Sequence, residues 1–172
     1  MTKESPTPLV VVMGVSGVGK TTAGEALAKR LRVEYADADT FHPQSNIDKM
    51  SSRTPLTDED RWPWLESIGA WLHEQRETGA VVSCSALARR YRDVLVDAEP
   101  RVQFLHLHGD PKVIKERVAA RPHHFMPASL LDSQLGTLEP LAEDEPGVVI
   151  DLIKSPDQIV DIFVGHLRSL DA

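Results

Sequence analysis

Gly14-Val15-Ser16-Gly17-Val18-Gly19-Lys20-Thr21 is a complete phosphate-binding loop. It follows the apolar run Leu9-Val10-Val11-Val12-Met13 and precedes a helical pattern, the strand–loop–helix setting that the motif requires. Glycines let successive backbone N–H groups turn inward around phosphate oxygens, and the helix that begins there points its positive end at them. Gly14, Ser16, Gly17, Val18 and Gly19 supply that backbone. Lys20 brings a mobile charge to the outer phosphates, the Thr21 hydroxyl can enter a Mg²⁺ shell, and Thr22 extends the same first turn. A chance glycine-rich turn is the bland alternative, but here strand, loop, Lys-Thr and helix are all in register. The stretch predicts a nucleoside triphosphate site.

Outward from the loop, apolar runs alternate with helix-period stretches. A helix carries Ala23, Leu27 and Leu31 on one face; a short strand near Val33 to Ala36 ends at Asp37-Ala38-Asp39. A second stripe runs through Trp64, Ile68, Trp71 and Leu72, with Trp64 and Trp71 read as packing residues rather than a sugar platform. Ala80 to Cys84 and Arg101 to Leu107 read as strands, with a helix over Tyr91 to Ala98 between them. Asp110-Pro111 opens another helix, with a capping side chain and a proline in the first turn. Val148 to Ile150 is a last strand and Pro156 to Leu170 a closing helix. Strands alternating with helices predict an α/β fold, a three-layer phosphate-loop NTPase type with a five-stranded parallel sheet and helices on both faces. Ligands then bind beyond the carboxyl ends of the strands, which lines up Gly14, Asp37 to Asp39 and Ser83 to Ser85 along one crevice. The segment from 121 to 146 shows no simple period and is expected to be a lid.

The chain has 172 residues, which suits one domain with one substantial core. Its formal net charge of −7 argues against nucleic acid as a partner, since phosphate backbones demand a basic face. The single cysteine, Cys84, rules out an internal disulfide and suits a reducing compartment; no apolar run is long enough for a membrane span. Cytoplasm is the expected location.

A phosphate loop alone does not define a reaction. No Asn-Lys-x-Asp guanine reader and no Ser-Gly-Gly-Gln-like transport signature is present. Val148-Val149-Ile150-Asp151 resembles the strand-plus-Asp that holds Mg²⁺ in many ATPases, yet it lies on the last strand, where an Asp more often just caps the strand end. Asp37 and Asp39 are better placed: alternation puts both carboxylates on one side, one for the metal and one for an acceptor hydroxyl. The same pair reads equally well as a turn, and His42-Pro43 also reads two ways. Arg61 suits a bidentate hold on a carboxylate or a pairing with a neighbouring acid. Cys84 reads as a small buried residue, not a nucleophile. What remains is a small-metabolite kinase, where positioning and charge stabilisation carry phosphoryl transfer.

The order and spacing of Asp37-Ala38-Asp39, His42-Pro43, Asn46-Ile47, Lys49-Met50, Pro55 to Leu65, Ser83-Cys84-Ser85-Ala86-Leu87, Tyr91-Arg92-Asp93 and His124-Phe125-Met126-Pro127, together with the loop, closely resemble the small phosphate-loop gluconokinases. The resemblance runs from about Leu9 to the last helix. It implies transfer of the γ-phosphoryl group of ATP, with Mg²⁺, to the C6 hydroxyl of D-gluconate, on a fold similar to adenylate and shikimate kinases and usually in a homodimer. It implies catalytic roles for Lys20, Asp39 and Arg121, and metal contact by Thr21 and Asp37. Asp39, His42, Arg61, Arg92, His124 and Gln134 match the sugar-acid pocket, while Arg117 and Arg121 look like nucleotide and lid arginines. Ala38 and His123 stand where the family more often has glycine. Two rival readings remain at this point: a kinase of another small hydroxy acid, and a nucleotide-binding regulator without turnover.

Overall fold

The computed structural model describes residues 7–120 and 128–170. Strand β1 (Leu9–Met13) is apolar and buried at every position. Such a strand belongs in the middle of a parallel sheet, covered on both faces. It pairs with β3 (Ala80–Ser83) on one side and β4 (Gln103–His108) on the other. β2 (Glu34–Asp37) lies outside β3 and β5 (Gly147–Asp151) outside β4, so the parallel sheet runs β2-β3-β1-β4-β5.

Alternation along β1 sends Val10 and Val12 into one core, and Val11 and Met13 into another. The first core is closed by α1 (Lys20–Leu31), α5 (Pro111–Ala119), α6 (Ala128–Thr137) and α7 (Pro156–Ser169), through Leu27, Ile114, Leu131 and Phe163. The second is closed by α3 (Asp58–Glu74) and α4 (Arg89–Ala98), through Leu65, Ile68, Leu72 and Leu95. Each such side chain, fully buried, contributes about 1.5–3 kcal/mol. This is the expected three-layer architecture.

Local signals hold at several ends. Asp110 accepts the Lys112 N–H at 2.9 Å ahead of Pro111. Thr57 and Asp60 exchange side-chain and backbone hydrogen bonds in a capping box that starts α3. Asp151 accepts the Ile153 N–H at 3.0 Å, so it caps the end of β5, with β4 between it and the strand that feeds the loop. Two helices carry no clear sequence signal. α2 (Gln44–Ser51) buries only Asn46, and α6 falls inside the segment expected to be a lid. Of that segment, 121–127 lies outside the described residues. The rest is tied down, by Leu131 in the first core and by the Glu139 N–H donating to the Leu87 carbonyl at 2.7 Å.

Candidate active site

The phosphate loop joins β1 to α1 at the carboxyl edge of the sheet. Gly14 stands at φ 145, and a Cβ there would come within 2.6 Å of the Leu107 carbonyl oxygen. Gly17 stands at φ 90, where a Cβ would collide with the Val118 side chain of α5. Only glycine satisfies either position. Val18 is buried in the first core, so its contribution to the crevice is its backbone. Lys20 folds over the loop, donating to the Gly14 carbonyl at 2.8 Å and the Val15 carbonyl at 3.0 Å. Thr21 and Thr22 are exposed on the first turn of α1. Beneath that turn, Tyr35 donates to Ser83 Oγ at 2.8 Å, and Ser83 donates to the Lys20 carbonyl at 3.1 Å. Burial raises the Tyr35 pKa, although its hydrogen bonds with Ser83 and Thr21 pull the other way.

Two strands from β1, across β3, β2 ends in a single 3-10 turn, Ala38–Phe41. Asp37 caps it, accepting the Asp39 N–H at 2.9 Å through one carboxylate oxygen. This turn satisfies the bland reading of the Asp pair and also leaves Asp39 facing out, with a side chain 83% exposed. The carboxylate surface is open, but protein atoms crowd the space around it. That desolvation, followed by the Asp37 charge, raises its pKa against the opposing pull of His42 and Lys20. The pull of Lys20 links this carboxylate electrostatically to the phosphate loop.

His42 lies flat on Trp64, with ring centroids 4.3 Å apart at 9°. Trp64 is itself fixed by donating to the Ala38 carbonyl at 2.7 Å, so this tryptophan is core, as expected, and supports the site from below. The buried Asn46 donates through Nδ2 to the Asp60 carbonyl at 2.9 Å and lies 3.2 Å from His42 Nδ1. With Nδ1 accepting from Asn46, the ring proton resides on Nε2, which faces Asp39 at 4.0 Å. Burial lowers the His42 pKa and nearby Arg61 adds to this, against Asp39, which keeps the ring neutral near pH 7.

The two arginines expected at the substrate carboxylate have opposite surroundings. Arg61 is half-buried beside the crevice. Its Nη1 donates to Tyr91 Oη at 3.1 Å and more weakly to Asp58 at 3.4 Å. Its guanidinium stands 5.3 Å over the Tyr91 ring, and that of Arg90 4.7 Å over the same ring. The Tyr91 hydroxyl donates to Asp58 at 2.6 Å; Arg90 first, then Tyr91, holds that carboxyl at about 2. Arg92, by contrast, is 1% exposed. It grips Glu145 with two bonds of 2.7 and 2.9 Å and donates to the Ala86 carbonyl at 2.8 Å.

Arg92 therefore does not face the sugar-acid pocket in this structure; its donors are taken up inside the protein. Burial pushes Glu145 up, but the Arg92 and Ala142 hydrogen bonds outweigh it, and its pKa ends below the ordinary carboxylate value. Ala86, at φ 43, is left-handed, a conformation that costs a non-glycine residue about 1–2 kcal/mol. Arg92 holds this bend, and the neighbouring Ser85 carbonyl accepts the Gly14 N–H at 3.3 Å. The arginine thus braces the wall against which the phosphate loop rests.

Gln134, also expected at the sugar acid, reaches the loop instead, its Oε1 accepting the Ser16 N–H at 2.8 Å. Arg117 stands exposed on the last turn of α5, next to the Val118 that packs at Gly17. Arg121 and His124 lie outside the described residues. Cys84 is buried, and burial pushes its thiol up to about 12, so it is no nucleophile at neutral pH. The neighbouring acid that the sequence offered Arg61 is Asp58, three residues before it. Sequence reasoning missed Tyr91 under Arg61 and Glu145 behind Arg92, long-range contacts with no local signature.

For Mg²⁺, the available donors are hard oxygens: the Thr21 hydroxyl and the Asp37 carboxylate, one oxygen of which caps the turn. Among the described residues there is no group of three His, Cys, Asp or Glu side chains able to hold a metal alone. That fits an ion carried by one or two protein oxygens together with substrate phosphates.

A parallel sheet ending in this loop, with a carboxylate two strands away, defines a phosphate-loop kinase of small molecules. The family described as AAA domain matches residues 9–141. Gluconokinase from Gluconobacter oxydans is 44% identical over 164 residues, spanning 94% of this chain and 92% of that protein. The crystal structure of a gluconokinase from Sinorhizobium meliloti 1021 superposes with a TM-score of 0.86 at 44% identity, covering 98% of this chain and 95% of that one. That of an unliganded sugar kinase from Janibacter sp. HTCC2649 gives 0.85 at 50% identity, over 93% and 95%. The chain belongs to the gluconokinase family.

Proposed function

We infer that the chain transfers the γ-phosphoryl group of ATP to the C6 hydroxyl of D-gluconate, yielding 6-phosphogluconate and ADP. One observation carries the chemistry. The Asp39 carboxylate is within electrostatic reach of Lys20, faces His42 Nε2–H at 4.0 Å, and shares its side of the crevice with Arg61. A hydroxyl donor between Asp39 and His42 gives its hydrogen bond to the carboxylate and accepts one from Nε2–H. Asp39 then takes the proton as the new P–O bond forms, and its raised pKa suits it to that step. Arg61 offers its remaining donors to the substrate carboxylate, in a planar fork held by Tyr91 and Asp58.

The loop amides and Lys20 bear the charge that develops on the phosphoryl oxygens. Thr21 and Asp37 would hold Mg²⁺, which would supply further neutralisation of the outer phosphates. The family resemblance alone supports a nucleotide contact for Arg117, exposed on the last turn of α5, a lid role for Arg121 and a place in the sugar-acid pocket for His124. That resemblance also supports a homodimer working in the cytoplasm. No helix among the described residues is long and apolar enough to cross a membrane.

The test is ADP release with ATP and Mg²⁺ against D-gluconate, other sugar acids, shikimate and no acceptor. Turnover on gluconate is expected. Turnover confined to a different acid would overturn the acceptor assignment while leaving the nucleotide site in place.

A further inference from the structure

Gln134 bridges 118 residues to reach the phosphate loop. Both ends of its hydrogen bond are fixed. Ser16 stands between the fully buried Val15 and Gly17, which is packed against Val118. On α6, Leu131 lies one turn before Gln134 and is buried in the first core, with Leu135 packed beside it. Lys115 of α5 pairs with Asp132 at 3.1 Å, binding the two helices together. The amide is planar, so anchoring Oε1 on the Ser16 N–H also keeps Nε2 close to the loop. Nε2 makes no hydrogen bond among the described residues, and the side chain is only half-buried. A neutral group with free donors is thus held against the loop that binds phosphate.

We propose that Gln134 serves the phosphate site rather than the sugar-acid pocket: its Oε1 sets the Ser16 N–H in the loop, while its Nε2 donates to the terminal phosphoryl group of the bound nucleoside triphosphate. The proposal rests on the phosphoryl-transfer reading above. A preorganised donor aimed at the terminal oxygens is most effective where charge develops during transfer, and it needs no reorganisation at that moment. A diphosphate lacks the group that Nε2 contacts, so Gln134 favours ATP over ADP.

Gln134→Ala and Gln134→Glu separate the two halves of this role. Glutamate keeps an oxygen for the Ser16 N–H but replaces the donor with a negative charge. Calorimetry on the full chain with Mg²⁺ measures affinity for a non-hydrolysable ATP analogue and for ADP, with no acceptor present. Steady-state kinetics with gluconate and a thermal midpoint complete the set. Both variants are expected to lose about tenfold in triphosphate affinity or in kcat, the scale of one hydrogen bond to a charged group. Triphosphate affinity should fall more than ADP affinity in both variants, the gluconate KM should stay within about twofold, and Gln134→Glu should keep the wild-type midpoint.

A raised gluconate KM with unchanged kcat and triphosphate affinity would return Gln134 to the sugar-acid pocket. A lower midpoint with an unchanged triphosphate-to-diphosphate ratio would reduce it to a tether. The binding arm contains no acceptor, so an error in the acceptor assignment leaves its outcome readable.

Discussion

The two walls of the crevice are built on different principles. The phosphate side is one continuous stretch, Gly14 to Thr21, and works largely through backbone N–H groups fixed by glycine geometry and the start of α1. The acceptor side is assembled from separate pieces: Asp39 from the 3-10 turn, His42 on Trp64, Asn46 from α2, Arg61 from α3 and Tyr91 from α4. Backbone donors need only the right φ and ψ. Side-chain donors need partners that hold their rotamers, and those partners come from distant sequence. The phosphate wall is therefore set mainly by one local stretch, with Gln134 and Val118 reaching it from afar, whereas the opposite wall is a property of the tertiary structure throughout.

The largest expected effect breaks the phosphate side. Lys20→Ala should cut turnover on every acceptor by about 10³-fold, since it removes the mobile charge from the developing phosphoryl oxygens. Coupled ADP release reads this, and retained turnover would remove the loop from the mechanism. Next comes the brace shared by both walls. Arg92→Ala leaves Glu145 buried without its partner and should cost about 3–5 kcal/mol of stability, measured by urea unfolding. Near-wild-type stability with a raised gluconate KM would instead make Arg92 a substrate contact reached by rearrangement. Arg61→Ala sharpens the contrast, because this arginine is half-exposed and its partners survive its loss. It should raise the gluconate KM by about tenfold or more while leaving the ATP KM and the unfolding midpoint nearly unchanged. A shift in the ATP KM of the same size would place Arg61 on the nucleotide side.

The same contrast explains what was legible in the sequence. β1, the loop and α1 were readable because one motif and one apolar run specify them together. The parallel sheet followed from alternation, its order β2-β3-β1-β4-β5 did not, and Asp110 announced its helix through capping chemistry. Arg61 and Arg92 looked alike on paper, being two arginines in family motifs. What separates them is Glu145, which lies 53 residues beyond Arg92 and makes it a buried ion pair. No local pattern carries that pairing. α6 was read as part of a lid because the whole segment from 121 to 146 was taken together, although Leu131, Leu135 and Leu138 stand at helical spacing against the first core; Gln134 took its pocket assignment from the family resemblance. Asn46 stood in a family motif, yet its effect on the His42 tautomer depends on a hydrogen bond that only the folded turn creates.

The smallest expected effect tests whether Asp39 is the group that links the two walls. Desolvation and the Asp37 charge raise its pKa, while Lys20 and His42 lower it. Asp39 must be ionised to receive the hydroxyl proton, so turnover falls as pH drops through its pKa, above the ordinary carboxylate range. Asp37→Asn removes the second of the two raising causes. The pKa of Asp39 then falls, and the acid limb of kcat/KM moves to lower pH. Loss of a metal contact at Asp37 lowers the whole profile without moving its midpoint, so the two effects separate. His42 makes the natural control: its pKa is already depressed, and its protonation adds positive charge beside Asp39, which pushes the limb further down, not up. An acid limb that stays fixed in Asp37→Asn but moves when His42 is replaced by Asn would transfer the proton-accepting role from Asp39 to His42. The acceptor wall would then work independently of the charge at the end of β2.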